Sequence, residues 1–164
     1  MISKKMTTAL NGQINKELHS SFLYLAMSSY CQQENLGGFA AWLALQAKEE
    51  YGHAMKFYQY MQEQGAAVEF QAIEAPPAKF GTMQKLFTEV LAHEQFITRS
   101  IHGLMDLAVK ESDYATQGML QWFVKEQVEE EASASEVLAR IKMAGNEPRG
   151  LLIIDREMAR RQAG

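Results

Sequence analysis

The sequence predicts an all-α chain, and three observations predict it. Its only prolines, Pro76, Pro77 and Pro148, leave residues 1–75 and 78–147 without a helix breaker of that kind. Both stretches are rich in Ala, Leu, Met, Glu, Gln and Lys, which enter a helix at little cost, while Val, Ile and Thr are sparse. Apolar residues recur at 3-4-3-4 spacing, the seam of a helical bundle.

The first helix runs for about 28 residues to the interruption Asn35-Leu36-Gly37-Gly38, and a second of similar length closes at Gly65. Residues 65–81, GAAVEFQAIEAPPAKFG, hold two prolines and no helical period, so they read as a connection. Thr82 is a good N-cap for a third helix, which ends near Glu111-Ser112-Asp113. The fourth runs to about Ala144, where Gly145-Asn146 is the stop. Pro148 opens a short fifth segment carrying Leu151, Leu152, Ile153, Ile154 and Met158, an apolar run that implies a surface needing a partner. The pattern predicts one domain over 1–164, with a bundle over about 5–144 and a fifth helix over about 148–160.

Short connections join antiparallel neighbours. A helix of about 28 residues is about 42 Å long. A connection of about seventeen residues reaches up to about 60 Å. It can run the length of the bundle and leave helices two and three parallel. The predicted fold is a four-helix bundle with one long crossover and a short C-terminal fifth helix.

The formal net charge is −4, so no basic excess recruits nucleic acid or an anionic membrane. The one cysteine, Cys31, excludes an intramolecular disulfide and a multi-cysteine metal site, and fits a reducing compartment. Met1-Ile2-Ser3-Lys4-Lys5 leads into polar residues, unlike a secretory signal, and no run approaches the roughly 20 apolar residues of a membrane span. The expectation is a soluble, cytoplasmic protein with no nucleic-acid or membrane partner.

Polar residues interrupt every seam. The first reads Leu10, Ile14, Glu17, Ser21, Tyr24, Ser28, flanked by Leu18 and Leu25. The second reads Phe39, Leu43, Gln46, Glu50, His53, Phe57, Tyr60. The third reads Met83, Phe87, Val90, Glu94, Ile97, Ile101, Leu104, Ala108. The fourth reads Thr116, Leu120, Phe123, Gln127, Glu130, Ala134, Val137, Ile141. A carboxylate stands mid-way along each: Glu17, Glu50, Glu94 and Glu130. Four carboxylates cannot all ionise in one core without compensating charge, since each unpaired one costs several kcal/mol. The seams hold no Lys or Arg, which leaves protonation or metal, and metal is the economical reading. Counted from the breaks, Glu94 and Glu130 lie level, while Glu17 and Glu50 differ in height by roughly 8 Å.

A repeat strengthens the case. Glu17 precedes Glu50 by 33 residues, and Glu94 precedes Gln127 by 33. The first pair continues to His53 and the second to Glu130, three residues on in each case and so on the same helix face. Oxygen-rich ligands with one imidazole suit a hard or borderline divalent ion. Iron is the natural candidate, because two adjacent ions can deliver two electrons to dioxygen together. Glu50, facing both halves, is the expected bridge.

These residues resemble a ferritin of the bacterial non-haem type over nearly the whole chain. The resemblance rests on the helix lengths, the crossover, the short fifth helix, Glu17, Glu50-x-x-His53, Glu94 and Gln127-x-x-Glu130, with Tyr24 beyond Glu17. It implies that Glu17, Glu50 and His53 hold one iron and that Glu50, Glu94 and Glu130 hold a second. Gln127 would sit beside the pair, and Tyr24 would hydrogen-bond a ligating carboxylate. A third iron site would fall at Glu49, Glu126, Glu129 and Glu130. The resemblance further implies a homo-oligomeric shell of 24 chains that oxidises Fe(II) with dioxygen or hydrogen peroxide, and stores ferric oxyhydroxide. Bacterioferritin carries a second Glu-x-x-His where this chain has Gln127-x-x-Glu130. Its haem-ligating methionine would fall at Tyr51, so no haem is expected. Rubrerythrin needs a cysteine-rich iron domain that one cysteine cannot build. The small starvation-induced cages bind iron between subunits.

Plainer readings stand beside these. Glu126 and Glu129 could form a solvated acidic face, as Glu131 does in this reading. Gln127 could be a hydrogen-bonding core residue instead of a ligand. Trp122 reads as packing, although an aromatic ring near the metals could supply an electron. His19, His93 and His102 read as surface or satisfied core, the ten methionines as core filling, and Cys31 as a small buried hydrophobe. The leading function is ferroxidase action within an iron-storage cage. The alternatives are a non-storing di-iron oxidase or peroxidase that removes oxidant, and a structural bundle without metal chemistry.

Overall fold

The computed structural model describes residues 1–145 and 147–161. They form five helices: α1 (Lys4–Gln33), α2 (Gly37–Glu63), α3 (Met83–Lys110), α4 (Tyr114–Ala144) and α5 (Pro148–Met158). No strand occurs among the described residues. The fold is all-α, four long helices and a short fifth, as the periodicity predicts. Asn146, half of the expected α4 stop, lies outside the described residues.

Local chemistry sets the helix ends. Ser3, Thr82 and Asp113 cap α1, α3 and α4, each side-chain oxygen accepting from the backbone N–H three residues on. Asn35, at φ 60°, supplies the left-handed residue that ends α1. Gly37 and Gly38 do not break the chain; they open α2. Gly38 is there for space. A Cβ on it would lie 1.6 Å from the Asp155 carbonyl oxygen of α5. The close approach also completes α2, whose Leu36 cap position offers no side-chain oxygen. Asp155 Oδ1 accepts from Phe39 N at 2.9 Å instead.

Contacts at the helix ends give the directions. Ser3 Oγ donates to Glu111 Oε2 at 2.7 Å, and Cys31 Sγ lies 3.7 Å from Met83 Sδ. The start of α1 therefore meets the end of α3, and its end meets the start of α3. Asn11, early in α1, reaches Ala67, just past the end of α2. With α1 antiparallel to both α2 and α3, those two run parallel. The crossover between them, 64–82, lies along α1 and borrows its side chains. Asn11 Nδ2 donates to Ala67 O at 3.0 Å, and Asn11 Oδ1 accepts from Glu69 N at 2.8 Å. Asn15 Nδ2 donates to Ala72 O at 3.2 Å, and Tyr30 Oη donates to Gly81 O at 2.7 Å. These side chains pair backbone groups that no helix serves.

The seams of α2, α3 and α4 are buried at every position named above. That of α1 is buried from Leu10 to Tyr24, while the flanking Leu25 faces out. The apolar interior falls into two clusters. One, at the α5 end, includes Tyr24, Met27, Phe39, Leu43, Phe87, Ile141 and Ile154. The other includes Met6, Leu10, Ile14, Phe57, Ile97, Leu120 and Phe123. Between them lies a polar belt, level with Glu17, Glu50, Glu94 and Glu130. Leu152 and Ile153 of the fifth helix stay exposed, whereas Ile154 is buried. No described helix is long and apolar enough to cross a membrane.

Candidate metal centre

Each long helix delivers one carboxylate to the belt. Glu17, Glu50, Glu94 and Glu130 are all buried. Counted from the observed ends, Glu17 stands sixteen residues before Gln33, and Glu50 thirteen after Gly37. The height difference is about 4.5 Å, which side chains can close. The larger sequence-based figure came from counting to Leu36 rather than to the helix ends.

Three groups of side chains offer ligand atoms within 4.8 Å of one another: Glu17, Glu50 and His53; Glu50, Glu94 and Glu130; and His53, Glu126 and Glu130. Glu50 belongs to the first two, so it stands between them. No Lys or Arg among the described residues pairs with any of the four belt carboxylates.

Neutral donors surround the carboxylates instead. Gln13 Nε2 donates to Glu17 Oε1 at 2.7 Å. Gln46 Nε2 donates to Glu130 Oε2 at 2.5 Å and to Glu50 Oε1 at 3.2 Å. Gln127 Nε2 donates to Glu94 Oε2 at 3.2 Å, and the Tyr24 hydroxyl donates to Glu94 Oε1. His53 Nδ1 lies 3.3 Å from Glu50 Oε2, and its Nε2 lies 3.9 Å from Glu126 Oε1. One buried oxygen is left over. Glu17 Oε2 is the orphan among the described residues, with no hydrogen-bond partner. A buried orphan oxygen beside a second carboxylate and an imidazole is the arrangement a divalent cation satisfies.

The electrostatics agree. Burial, then the nearby Glu50 charge, pushes the Glu17 carboxyl well above the usual carboxylate range. Burial, then Glu94 and Glu130, does the same to Glu50. Burial raises Glu94 to about 7 against the opposing Tyr24 hydrogen bond, and burial with the Glu94 charge raises Glu130 to about 7. Without a cation the belt holds protons. With one, it can release them and bind metal as carboxylate.

The remaining sequence candidates divide. Tyr24 is buried and bonded to Glu94, as expected of a residue orienting a ligand. Gln127 turns its amide nitrogen to Glu94 and to the Thr98 hydroxyl. Glu126 joins His53 and Glu130, but Glu129 is exposed and Glu49 is held by Arg161 at 2.6 Å. The four residues of the expected third site thus form no single group among the described residues. Trp122 packs edge-on against His53, with Lys56 Nζ 4.2 Å from the centre of its ring. His93 accepts or donates at Ser20 Oγ, 2.7 Å away, and burial lowers it to about 4. Cys31 is buried, and burial, helped by Asp155, pushes its thiol up to about 12. The sequence pattern places Gln46 on the second seam without giving it a role, and does not point to Gln13. Both are polar residues one turn before a seam carboxylate, and that spacing was the available signal.

An all-α bundle whose core holds two carboxylate sets sharing one Glu defines a class: helical bundles whose buried Glu and His groups could hold metal ions. The chain belongs to the ferritin family, whose Ferritin-like domain profile matches residues 7–144. It is similar to the bacterial non-heme ferritin of Bacteroides fragilis strain 638R, at 40% identity over 161 residues covering 98% of this chain and 100% of that one. It is 41% identical to that of Campylobacter jejuni over 155 residues, covering 94% of this chain and 93% of that one. Among solved structures, the open-pore ferritin of the archaeon Archaeoglobus fulgidus matches with a TM-score of 0.97 and 43% identity, covering 99% of this chain and all of that one.

Proposed function

We propose that this chain is the subunit of an iron-storage ferritin, in which the belt oxidises Fe(II) and the ferric product accumulates as oxyhydroxide inside a shell of 24 chains. The observation that carries this reading is the pair of groups sharing Glu50 in a buried site where no Lys or Arg among the described residues pairs with the carboxylates and one oxygen, Glu17 Oε2, is an orphan. Glu17, Glu50 and His53 hold one ferrous ion as substrate, and Glu50, Glu94 and Glu130 hold the other. Each ion loses one electron. The two electrons together reduce one dioxygen to the level of peroxide, which takes up two protons. Hydrogen peroxide serves equally as a two-electron oxidant and leaves as water. Gln13, Gln46, Gln127 and Tyr24 orient the carboxylates by donating to their oxygens. Glu126, grouped with His53 and Glu130 and less buried than the belt, offers the ferric product a first contact outside it. The acidic, cysteine-poor composition suits a cytoplasmic shell.

The shell is supported by the likeness to ferritins at full chain length and by the exposed Leu152 and Ile153, which burial between chains would cover. The test is iron per chain after repeated aerobic additions of Fe(II), read on the size-exclusion peak. Many irons per chain in a large-shell peak are expected. About two irons per chain in a small species would replace this reading by the non-storing di-iron oxidase.

A further inference from the structure

Gln46 is a neutral residue between two charged neighbours, and its amide has two different ends. Its nitrogen donates to Glu130 Oε2 and Glu50 Oε1. Its oxygen, Oε1, accepts from Arg161 Nη1 at 2.9 Å. The other arm of the same guanidinium, Nη2, lies 2.6 Å from Glu49 Oε2. An arginine only donates, so an amide that meets it must present oxygen. That choice sends the amide nitrogen to the metal belt. Without such a neighbour the amide can turn over whenever a belt carboxyl holds its proton, aiming its oxygen at a Glu130 hydroxyl.

Arg161 lies past the end of α5, and α5 is fixed to both α2 and α4. Asp155 caps the start of α2 through Phe39 N, against Gly38. Glu157 pairs with Arg140 of α4. The Arg161 guanidinium carbon stacks over Trp42, 4.3 Å from the ring centre, and the fork then reaches Gln46 and Glu49. Trp42, Gln46 and Glu49 follow one another at helical spacing on one side of α2. Two directed bonds and a stacked face define the guanidinium plane, which a lysine ammonium cannot reproduce.

We propose that Arg161 is a positioning residue of the metal centre: it fixes the Gln46 amide so that its nitrogen faces Glu130 and Glu50, which ties the second metal group to the docking of the C-terminal segment. This rests on the dinuclear reading above. The carboxylate affected most is Glu130, 2.5 Å from the Gln46 nitrogen and absent from the first group; the shared Glu50 lies farther, at 3.2 Å, and keeps its contact with His53, and Glu17 is oriented by Gln13 from α1.

The probe is zinc(II), titrated calorimetrically into the metal-free full-length protein, so that no oxidation step enters. Wild type is expected to take two tight ions per chain. Arg161→Gln and Arg161→Lys should each weaken one of the two by on the order of tenfold, leaving the other within about twofold. The lysine variant separates orientation from charge. A guanidinium acting only as a nearby positive charge would repel the metal. Arg161→Gln would then bind more tightly, and Arg161→Lys would match wild type. Either result overturns the proposal. Gln46→Met should reproduce the loss, and adding Arg161→Gln to it should cost nothing further, since the two act through one amide. Additive losses would mean that Arg161 acts through general packing, and would also overturn it. If wild type takes up no tight pair, and Glu50→Ala changes nothing, the dinuclear reading fails and takes this inference with it. A normal pair in wild type with unchanged Arg161 variants defeats this inference alone.

Discussion

On α1 and α2 the belt motif is Glu17 followed 33 residues later by Glu50-x-x-His53; on α3 and α4 it is Glu94 followed, at the same distance, by Gln127-x-x-Glu130. The geometry is similar and the chemistry is not. In the second half each carboxylate is already served by a neutral donor: Glu94 by Tyr24 and Gln127, Glu130 by Gln46. In the first half Gln13 serves one oxygen of Glu17 and leaves the other an orphan, and Glu50 depends on a 3.2 Å contact from Gln46 and on His53. Substituting Gln for Glu at the first position of the second motif exchanges a ligand for a donor. Without metal both halves hold protons, and the difference between them is the one oxygen, Glu17 Oε2, that no donor reaches. A repeated motif thus yields two unequal metal groups, and Glu50 links them.

The largest effect expected from breaking this arrangement is at that link. Glu50→Ala removes a ligand from both groups of the pair, where substitution of Glu17 or Glu94 removes one from a single group. Aerobic Fe(II) oxidation, followed by the absorbance of the ferric product, should slow by more than about 100-fold, beyond the range for residues that only orient ligands. Zinc stoichiometry should fall from two tight ions per chain towards none. Retention of one tight ion would show that the groups are independent and that Glu50 is no bridge.

A smaller effect sharpens the difference between the halves. Gln127→Glu restores the first-half pattern to the second, and places a further carboxylate against Glu94 in a buried belt. Glu94 then loses an N–H donor and gains a like charge. The metal-free protein should lose about 1–3 kcal/mol of stability, the cost of an unsatisfied buried polar group. Zinc should recover most of that loss. A variant as stable as wild type without metal would mean that Gln127 does not satisfy Glu94.

The bundle was legible because its signals are local and redundant. Proline placement, the Thr82 cap and seam periodicity all concern residues within a turn or two of each other. The four belt carboxylates were legible for a related reason: charge on an apolar seam contradicts the pattern around it. What escaped depends on contacts between distant segments. Gly38 looked like a helix breaker, and only the position of Asp155 shows that it makes room for α5. Asn11 and Asn15 looked like ordinary helix residues, yet they pair the backbone of a crossover more than fifty residues away. Arg161 carries no periodic signal at all. The sequence count found no cation on the seams, but it could not show that a side chain from beyond α5 reaches Gln46 and Glu49.

The smallest effect is a slope with pH, and its sign follows from burial. Glu94 and Glu130 titrate near 7 in the folded chain, against an ordinary value of 4.5, and Glu17 and Glu50 are displaced in the same direction. A carboxyl raised on folding binds its proton more tightly in the folded than in the unfolded state. Its contribution to stability is complete below the unfolded value and is lost as pH rises through the folded value. The metal-free protein should therefore melt at a lower temperature at pH 8 than at pH 5.5, in scanning calorimetry at constant ionic strength. Glu130→Gln should reduce the slope by removing one of the titrating groups. Zinc should reverse it, because metal binds the ionised carboxylates and higher pH then favours the bound, folded form. A metal-free melting temperature that climbs steadily to pH 8 would mean that the belt carboxylates are ionised and paired without metal, and that the two halves are equally satisfied.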